Sequence, residues 1–572
     1  MFHFCEVFMR VFFILMLIII QIFANTLNQI SQTQAKQEED RLKFIESQKE
    51  NSNIILTPKK NQISAIISNE KPCFIINEIL LIGKDNNKFE KYLKKSLKNV
   101  KFKNGNCIGK KSVNIIYNSF YNEILKAGLI TTAINLPSQN LKSKTLKFEI
   151  IPGKIDTINI NDKNSTKNRA SIFTSFGINK KGDILNLRDI EQALEILQNA
   201  SNGNVSFELL PSNKENYSDI NITKEEKLPL NLSLSFDNLG SKATGKYQGS
   251  LNLNVLNLMG FNEILYSSYS KNIFKADKQS VENDTKRGKT DNIYYGITIP
   301  YKRFSLDFNE YRYNYDQAIP GAFGVYKYSG KSKRRNLTIN YLYHRDQISK
   351  NSLFFRLWEK ENKNYIEDYE LDNQRKKTAG YEIGLSSQIF IENGHVVFGA
   401  TYKKGTGARG ALRAPEEDYN DGTNRFETVT IDFNFNKSSL NVPLTYDFKF
   451  HGMWNNTSLT MQERLNIGGY YTVRGFDGEM SLVGDRGYYI RNTLEYSYLN
   501  SHKLYAAFDF GKVSGKSSNY MTDNTLVGSG VGLKGHFKRK VQYDLFLGFP
   551  LNKPEFFKTD KTVLNFNTTY NF

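Results

Sequence analysis

The stretch Tyr488-Tyr-Ile-Arg-Asn-Thr-Leu-Glu-Tyr-Ser-Tyr498 alternates apolar and polar side chains along most of its length. Successive side chains of a β-strand point to opposite faces, so this pattern predicts a strand with one apolar and one polar face. Segments with the same alternation, separated by polar or glycine-rich turns, recur from about residue 229 onward. The sequence therefore predicts that the larger part of the chain is built from antiparallel strands.

The alternating region favours a transmembrane β-barrel over a soluble β-fold. Aromatic residues are abundant, with 40 Phe and 33 Tyr in the chain, and aromatic girdles are typical of outer-membrane barrels. Lipid cannot satisfy free backbone groups, so a sheet in the membrane must close on itself. At about 20 residues per strand and connection, residues 227–572 predict a barrel of about 16 antiparallel strands. A soluble β-sandwich or propeller is the alternative.

Some long polar segments interrupt the alternation and are predicted to be external loops of the barrel. These segments are residues 271–291, 315–335, 360–378 and 408–424.

The N-terminal segment has the composition of a secretory signal. A weakly charged stretch precedes a nearly continuous apolar run at 11–23, and Ala24 is a plausible cleavage residue. This predicts a signal peptide over 1–24, with an uncleaved anchor helix as the alternative. Residues 25–50 are rich in Gln, Glu and Lys and form either a polar helix or disordered chain. Residues 51–71 have the character of a linker.

Two tandem copies of one supersecondary unit follow the linker, over residues 72–153 and 154–226. Each has the predicted order β-α-α-β-β, and apolar residues recur at helical spacing in the helices. In the first copy, Gly128 ends the second helix, as a C-terminal glycine does. The helical apolar stripes are interpreted as core positions.

Three cysteines are present, and Cys5 belongs to the predicted signal. Cys73 and Cys107 remain as an even pair in an oxidising compartment, which suggests a disulfide. Two free buried thiols are the alternative.

Composition and motifs favour a non-enzymatic protein. The net charge of +19 comes from 77 Lys and Arg against 58 Asp and Glu, and these residues form no basic-aromatic nucleic-acid motif. The six histidines are scattered without metal-ligand spacing. The sequence Gly405-Thr-Gly-Ala-Arg-Gly410 matches a dinucleotide pattern, but no helix is predicted after it. We therefore expect no catalytic site, cofactor, metal or nucleic-acid partner.

The glycine-rich stretch Gly468-Gly-Tyr-Tyr-Thr-Val-Arg-Gly-Phe-Asp-Gly478 carries a cation in a segment that can fold back tightly. Taken alone, it is an ordinary surface loop with a solvated Arg474. In the predicted strand 504–511, however, Ala507, Asp509 and Gly511 face the barrel interior. A loop folded into the lumen could bring Arg474 to Asp509, although a solvated lumenal Asp509 is equally compatible with the pattern.

Several motifs together resemble the two-partner secretion (type V) outer-membrane transporters, the haemolysin secretion/activation family. They are Cys73 with Cys107-Ile-Gly, Leu136-Pro137-x-Gln139, Pro152-Gly153-Lys-Ile155, the run Leu185-Asn-Leu-Arg-Asp-Ile-Glu-Gln-Ala-Leu194, Asp237-Asn238-x-Gly240, Thr244-Gly245, Lys404-Gly405-Thr-Gly407, Val473-Arg-Gly-Phe476 and Asp509-x-Gly511.

The resemblance implies a 16-stranded barrel in a Gram-negative outer membrane, two periplasmic POTRA domains and an N-terminal helix that plugs the pore. It also implies a re-entrant loop, around residues 468–484, that carries the V-R-G-[YF] motif. That motif corresponds to Val473, Arg474, Gly475 and Phe476. Its arginine pairs with the aspartate of a strand motif, matched here by Asp509 and Gly511. Ala507 replaces the usual Phe or Gly of that strand motif.

The function implied by the resemblance is export of a large partner exoprotein of adhesin or haemolysin type. Its N-terminal secretion domain would bind the POTRA domains, whose contact residues the sequence does not identify, and the unfolded chain would then cross the barrel. Lipid, the barrel assembly machinery and periplasmic chaperones are the further partners implied. An outer-membrane protein insertase of the same superfamily and a passive porin are the alternatives.

Overall fold

A computed structural model describes residues 53–56, 66–67, 70–161, 165–178, 180–281, 283–518 and 523–572. The predicted signal peptide, the predicted polar helix at 25–50 and most of the linker lie outside the described residues.

Strands dominate the described part of the chain. Its α-helices are α1 (Glu90–Asn99), α2 (Lys110–Lys126), α3 (Thr166–Phe176) and α4 (Leu187–Asn199). Strands before the barrel are β1 (Phe74–Ile76), β2 (Glu78–Ile82), β3 (Asn106–Ile108), β4 (Ala133–Asn135), β5 (Thr145–Ile151), β6 (Lys154–Ile160), β7 (Val205–Pro211) and β8 (Tyr217–Lys224). No helix among the described residues has the length and apolarity needed to cross a membrane.

The later strands are β9 (Leu230–Asp237), β10 (Gln248–Leu256), β11 (Ile264–Asn272), β12 (Lys278–Val281), β13 (Asp284–Arg287), β14 (Lys289–Tyr301), β15 (Phe304–Pro320), β16 (Val325–Arg345), β17 (Ser349–Ile366), β18 (Tyr369–Glu370), β19 (Lys376–Ile391), β20 (Gly394–Thr406), β21 (Glu427–Ser438), β22 (Leu444–Asn455), β23 (Leu465–Ile467), β24 (Leu482–Gly484), β25 (Arg486–Leu499), β26 (His502–Ser514), β27 (Thr525–Phe537), β28 (Val541–Asn552) and β29 (Val563–Asn571).

The first α+β unit packs α1 and α2 on a three-stranded sheet of order β2-β5-β4. Strands β2 and β5 are parallel, and β4 is antiparallel to β5. Ile116, Phe120 and Ile124 share one face of α2 because they are spaced three to four residues apart, and all three are fully buried. Gly128 follows the helix with a positive φ of 87°, a conformation that glycine adopts without strain.

Strands β1 and β3 form a separate two-stranded sheet in this unit. Cys73 directly precedes β1, and Cys107 lies in β3. Cys73 and Cys107 are joined by a disulfide with a Cα–Cα distance of 5.3 Å. The mostly apolar run at residues 74–82 predicts a single first strand for this unit, but the segment forms two strands, which belong to different sheets.

The apolar residues of 129–136 predict a strand over that whole range, but β4 is shorter, because the first residues of the range form a turn. The main-chain N–H of Thr132 donates to the carbonyl of Leu129 at 3.1 Å, and only Ala133–Asn135 pairs with β5. The apolar residues of the turn contribute to packing without joining the ladder.

The second α+β unit repeats this design with α3 and α4 on a sheet of order β6-β8-β7. Helix α4 begins after Asn186, whose side chain accepts a hydrogen bond from the N–H of Arg188 at 2.8 Å. Ile190, Leu194 and Leu197 are buried at one face of α4. The adjacent face, with Glu191 and Glu195, contacts Arg345 at the end of β16.

Sixteen antiparallel strands of the described chain close the barrel, and the two-residue β18 pairs antiparallel with the end of β17. The predicted fold class is confirmed. Strand β9 pairs with both β10 and β29, which joins the first strand to the last. This closing seam is short: the β9–β29 register runs only from Asp237↔Asn567 to Ser233↔Asn571.

Three strands are much longer than a bilayer requires. Strands β15, β16 and β17 contain 17, 21 and 18 residues, whereas about 9–11 tilted residues cross a membrane. The prediction that 315–335 and 360–378 are external loops is therefore wrong for most of these residues, because they continue the strand ladders. Polar composition alone therefore did not distinguish a loop from a strand here.

Candidate functional site

The long connection between β22 and β25 folds into the barrel instead of extending outward. Strands β23 and β24 pair with each other within it. At its base, Nε of Arg464 donates to Asp485 Oδ1 and to the Leu459 carbonyl, each at 3.0 Å. Residues 468–481 form the inner part of this re-entrant loop.

Arg474, inside the loop, binds Asp509 on the inner face of β26. Its Nε lies 2.7 Å from Asp509 Oδ2, and its Nη2 lies 2.8 Å from Asp509 Oδ1. The main-chain N–H of Arg474 also donates to Oδ2, at 2.9 Å. Both side chains are almost completely buried. The arrangement is the two-pronged contact that a planar guanidinium makes with a carboxylate.

Neighbouring groups complete the hydrogen bonding of the guanidinium. Nη2 of Arg474 also contacts Thr493 Oγ1 at 2.9 Å and the Asn492 carbonyl at 3.1 Å, both on β25. The guanidinium carbon lies 5.7 Å from the centre of the Phe546 ring. A buried charge is tolerated only with such a set of partners, so the pair positions the loop specifically.

Two glycines permit the loop backbone to contact the barrel wall directly. Gly475 has a φ of 100°, and a Cβ there would lie 2.6 Å from the Phe549 carbonyl oxygen. On the wall, a Cβ at Gly528 would overlap the carbonyl oxygen of Arg474. Larger residues at either position would force the loop away from β27 and β28.

Apolar side chains on both sides of Arg474 anchor the loop. Val473 and Phe476 are buried in a cluster with residues of the barrel wall and the loop base. Phe476 meets Phe557 edge to face, with ring centres 5.5 Å apart. Burial of this kind contributes about 1.5–3 kcal/mol for each large apolar side chain.

The innermost part of the loop reaches both sides of the closing seam. Glu479 accepts hydrogen bonds from the Lys242 N–H at 2.8 Å and from Ser241 Oγ at 3.1 Å, after β9. Asp477 accepts from the Asp560 N–H at 3.1 Å, before β29. The loop therefore connects the first and last strands in addition to their own short ladder.

The positions of Gly511 and Ala507 explain how the strand motif fits the loop. A Cβ at Gly511 would lie 2.7 Å from Cγ2 of Val473, so the glycine leaves room for the motif. Ala507 is buried and packs with Tyr505 and Phe546. The Phe546 ring, stacked on Tyr505, occupies the neighbourhood where a larger residue at position 507 would lie.

The structure brings together all the loop-motif residues that the sequence singled out, and adds others that the sequence reasoning did not assign to the site. Arg491 lies directly across the ladder from Asp509, with Nε 3.8 Å from Oδ2. Tyr470 and Tyr505 both donate to Asp544, at 3.1 and 2.6 Å. The alternation of β25 indicated that Arg491 and Thr493 face the barrel interior. It could not indicate that they lie beside Asp509, because alternation does not give the register between two strands.

The barrel interior beside the loop is a polar cavity of about 420 Å³. Its charged lining comprises Arg334, Arg356, Glu382, Lys403, Asp432, Lys449, Glu463 and Arg491. Among the described residues, no group of three His, Cys, Asp or Glu side chains is placed to hold a metal ion. Charges of both signs in this lining make the cavity suited to water and polar groups.

Known proteins share both halves of this architecture. A POTRA-domain model matches residues 154–211, and the haemolysin secretion/activation protein ShlB/FhaC/HecB model matches residues 216–535. The outer membrane transporter CdiB-2 of Burkholderia pseudomallei is 29% identical over 474 residues, covering 82% of this chain and 79% of that protein. The hemolysin transporter protein HpmB of Proteus mirabilis is 25% identical over 403 residues, covering 69% and 68%.

Among solved structures, CdiB from Acinetobacter baumannii has a TM-score of 0.82 and 25% identity, covering 95% of this chain and 99% of that chain. The ShlB/FhaC/HecB match spans more than half of the present sequence. The chain therefore belongs to the haemolysin secretion/activation (ShlB/FhaC/HecB) family, the outer-membrane transporters of two-partner secretion, with its POTRA domains in the periplasm.

Proposed function

We propose that this transporter recognises one large exoprotein, of adhesin or haemolysin type, in the periplasm and exports it unfolded through the barrel. The observation that carries this proposal is the polar lumen, which contains charges of both signs and a loop fastened to its wall. An extended polypeptide carries polar groups along its whole backbone, and such a lumen can hydrate them.

Recognition is proposed to use the exposed edge of the second POTRA sheet. Among the described strands, β7 has one neighbour, β8, so its other edge has no strand partner. An unpaired edge presents main-chain donors and acceptors to an incoming strand. The secretion domain of the exoprotein would add such a strand to β7.

The re-entrant loop is proposed to hold the barrel in a transport-competent form. The Arg474–Asp509 pair fixes the middle of the loop, while Glu479 and Asp477 connect its tip to both sides of the seam. Without the Arg474–Asp509 pair, the loop would no longer hold the two sides of the closing seam, where the β9–β29 ladder is short.

The proposal is tested by deleting the gene and comparing the proteins of the culture medium by mass spectrometry. We expect the loss of one large exoprotein, restored by the wild-type gene in trans. The level of other outer-membrane barrels serves as the control, measured by heat-modifiable migration on gels. An unchanged medium together with reduced barrel assembly would overturn the proposal in favour of an insertase.

A further inference from the structure

A short part of the linker is held in a cleft between the second POTRA domain and the barrel. The cleft is formed by α4 and by the end of β16 with the start of β17. Four hydrogen bonds fix residues Ile54 and Leu56 through their main-chain atoms alone. The Ile54 N–H donates to Glu195 at 2.7 Å, and the Leu56 N–H donates to Glu191 at 2.6 Å.

The corresponding carbonyl groups are bound by arginines. Nη2 of Arg345 donates to the Ile54 carbonyl at 2.6 Å, and Nη2 of Arg188 donates to the Leu56 carbonyl at 3.0 Å. In an extended chain, alternate residues present their N–H and C=O groups to the same side. The cleft therefore binds the main-chain edge of an extended segment, using four charged side chains in place of a neighbouring strand.

Main-chain atoms are common to all residues except for the proline N–H, so these four contacts do not select a sequence. The Ile54 side chain adds one apolar contact, against the core of the second POTRA domain. Lys350 also donates to the side-chain oxygen of Asn53 at 2.8 Å, in a solvent-exposed contact that does depend on the residue. The buried requirements of the cleft are thus an extended backbone and one apolar side chain. Many unfolded polypeptide segments satisfy both requirements.

The charged groups of the cleft are buried and pair with one another, and the bound segment adds one hydrogen bond to each of the two carboxylates and two arginines. Arg345 is 1% exposed between Glu191 and Glu195, at 3.1 and 2.8 Å. Burial acts against ionisation of Glu195, but hydrogen bonds from Arg345 and Lys350 hold its pKa below the ordinary value. The carboxylate is therefore charged at neutral pH, and a buried charge without its partners is unfavourable.

We infer that this cleft is a binding site for extended polypeptide main chain, occupied in cis by residues 53–56 and in trans by a segment of the exported protein. The assignment of the exported protein as the occupant in trans rests on the proposed function. The cleft lies at the periplasmic mouth, because the barrel turn next to Arg345 contacts a periplasmic domain. Exchange of the two segments would release the N-terminal part of the chain from this anchor as the exported protein arrives.

Peptide binding to the full-length protein in detergent tests the site. The protein carries residues 53–56 replaced by Gly-Pro-Gly-Pro, which has no N–H group at positions 54 and 56 and so cannot donate to the two carboxylates. The probe is a fluorescent peptide with the sequence of residues 50–59. N-methylation at the Ile54 and Leu56 positions removes two hydrogen bonds to carboxylates, and should weaken binding about a hundredfold. N-methylation at the Asn53 and Ile55 positions should weaken it much less.

Matched variants identify the groups responsible. In the replaced protein, Glu195→Gln should weaken peptide binding, whereas Asp189→Asn, on the same helix but bonded to Arg303, should not. A peptide with valines at the Ile54 and Leu56 positions and unrelated residues elsewhere should still bind. Failure of that peptide, or equal effects of both N-methylated pairs, would overturn a main-chain site.

Occupancy in trans is measured in exporting cells with a photo-cross-linker at Gln192, which contacts Arg345 at 3.0 Å. A cross-link to the exported protein is expected, and its absence from cells that export normally would overturn the trans ligand. Cells that export nothing would instead overturn the proposed function. The peptide measurements are independent of that result.

Discussion

Arg474 and Asp509 form a buried ion pair that connects the re-entrant loop to two strands of the barrel wall. The guanidinium binds Asp509 on β26, and both Thr493 and the Asn492 carbonyl on β25. Removing one member of a buried pair leaves the other charge uncompensated, which typically costs about 3–5 kcal/mol. The pair is therefore a determinant of where the loop lies as well as a source of stability.

Arg474→Ala is expected to abolish secretion of the exoprotein while leaving the barrel in the outer membrane. Arg474→Lys should restore little, because an ammonium cannot contact both carboxylate oxygens and β25 together. The measurement is immunoblotting or mass spectrometry of the culture medium, with heat-modifiable migration as the test of barrel insertion. Arg409→Ala, at an exposed arginine, is the matched control. Normal export by the Arg474→Ala variant would refute the role assigned to the loop.

Glu70, near the end of the linker, binds the N-terminus of α2 through its carboxylate. Its carboxylate accepts hydrogen bonds from the N–H groups of Gly109, Lys111 and Ser112 at 2.8–3.0 Å. Hydrogen bonding from Ser112, with that from Lys111 and Gly109, lowers the pKa of Glu70 from 4.5 to about 2. The free N–H groups of a helix start favour such a negative charge.

The stabilisation from Glu70 should depend on pH in a defined direction. A carboxyl with a lowered folded-state pKa stabilises the fold fully above its unfolded pKa, and loses this contribution as the pH falls toward the folded value. The thermal unfolding temperature of the first POTRA domain should therefore differ between the wild type and Glu70→Gln at neutral pH. The difference should shrink from about pH 4.5 down to about pH 2. A difference that does not vary with pH would contradict this contact.

At the scale of elements, the disulfide joins the residue directly before β1 to β3, within the first unit. Cys73 and Cys107 are separated by 34 positions, and closing a loop of that size stabilises a small domain by about 3–4 kcal/mol. The mature protein should migrate faster on non-reducing gels than after reduction. Cys73→Ser with Cys107→Ser should remove this difference and lower the unfolding temperature of the domain. Equal migration before and after reduction of the wild type would contradict a disulfide in the mature protein.

The free edge of β7 gives a second prediction at this scale. A photo-cross-linker at Glu208, exposed on β7, should capture the exoprotein when its export is arrested in the periplasm. The same group at Lys181, an exposed residue between α3 and α4 of the same domain, should capture much less. Equal capture at both positions would indicate that β7 has no special role in recognition.

At the scale of the whole molecule, export requires a path that is closed at rest and open during transport. The family resemblance implies that residues 25–50 form a helix in the pore. Deleting these residues should raise the ion conductance of the protein in planar bilayers. A Gly-Ser segment of equal length should conduct like the deletion, since it preserves the connection but not the helix-forming residues. Unchanged conductance in both variants would argue against pore occupation.

The sequence by itself determined the fold class because alternation and helical spacing are local properties. The strand pattern predicted a barrel with polar residues inside, and the repeated β-α-α-β-β order predicted two similar units. The alternation of 504–511 placed Asp509 toward the lumen. Strand ends were less accurate, as in β15 to β17, because polar composition does not distinguish a loop from a strand beyond the membrane.

Only the tertiary structure decided which residues meet across the chain. The contacts of Arg474 with β25, and the relation of Ala507 to Phe546, depend on strand register, which alternation leaves undetermined. The cleft around Ile54 joins residues separated by up to 291 positions, from a linker, a helix and a barrel turn. Such contacts arise from the packing of separate units, whereas the sequence pattern of each unit records only its own faces.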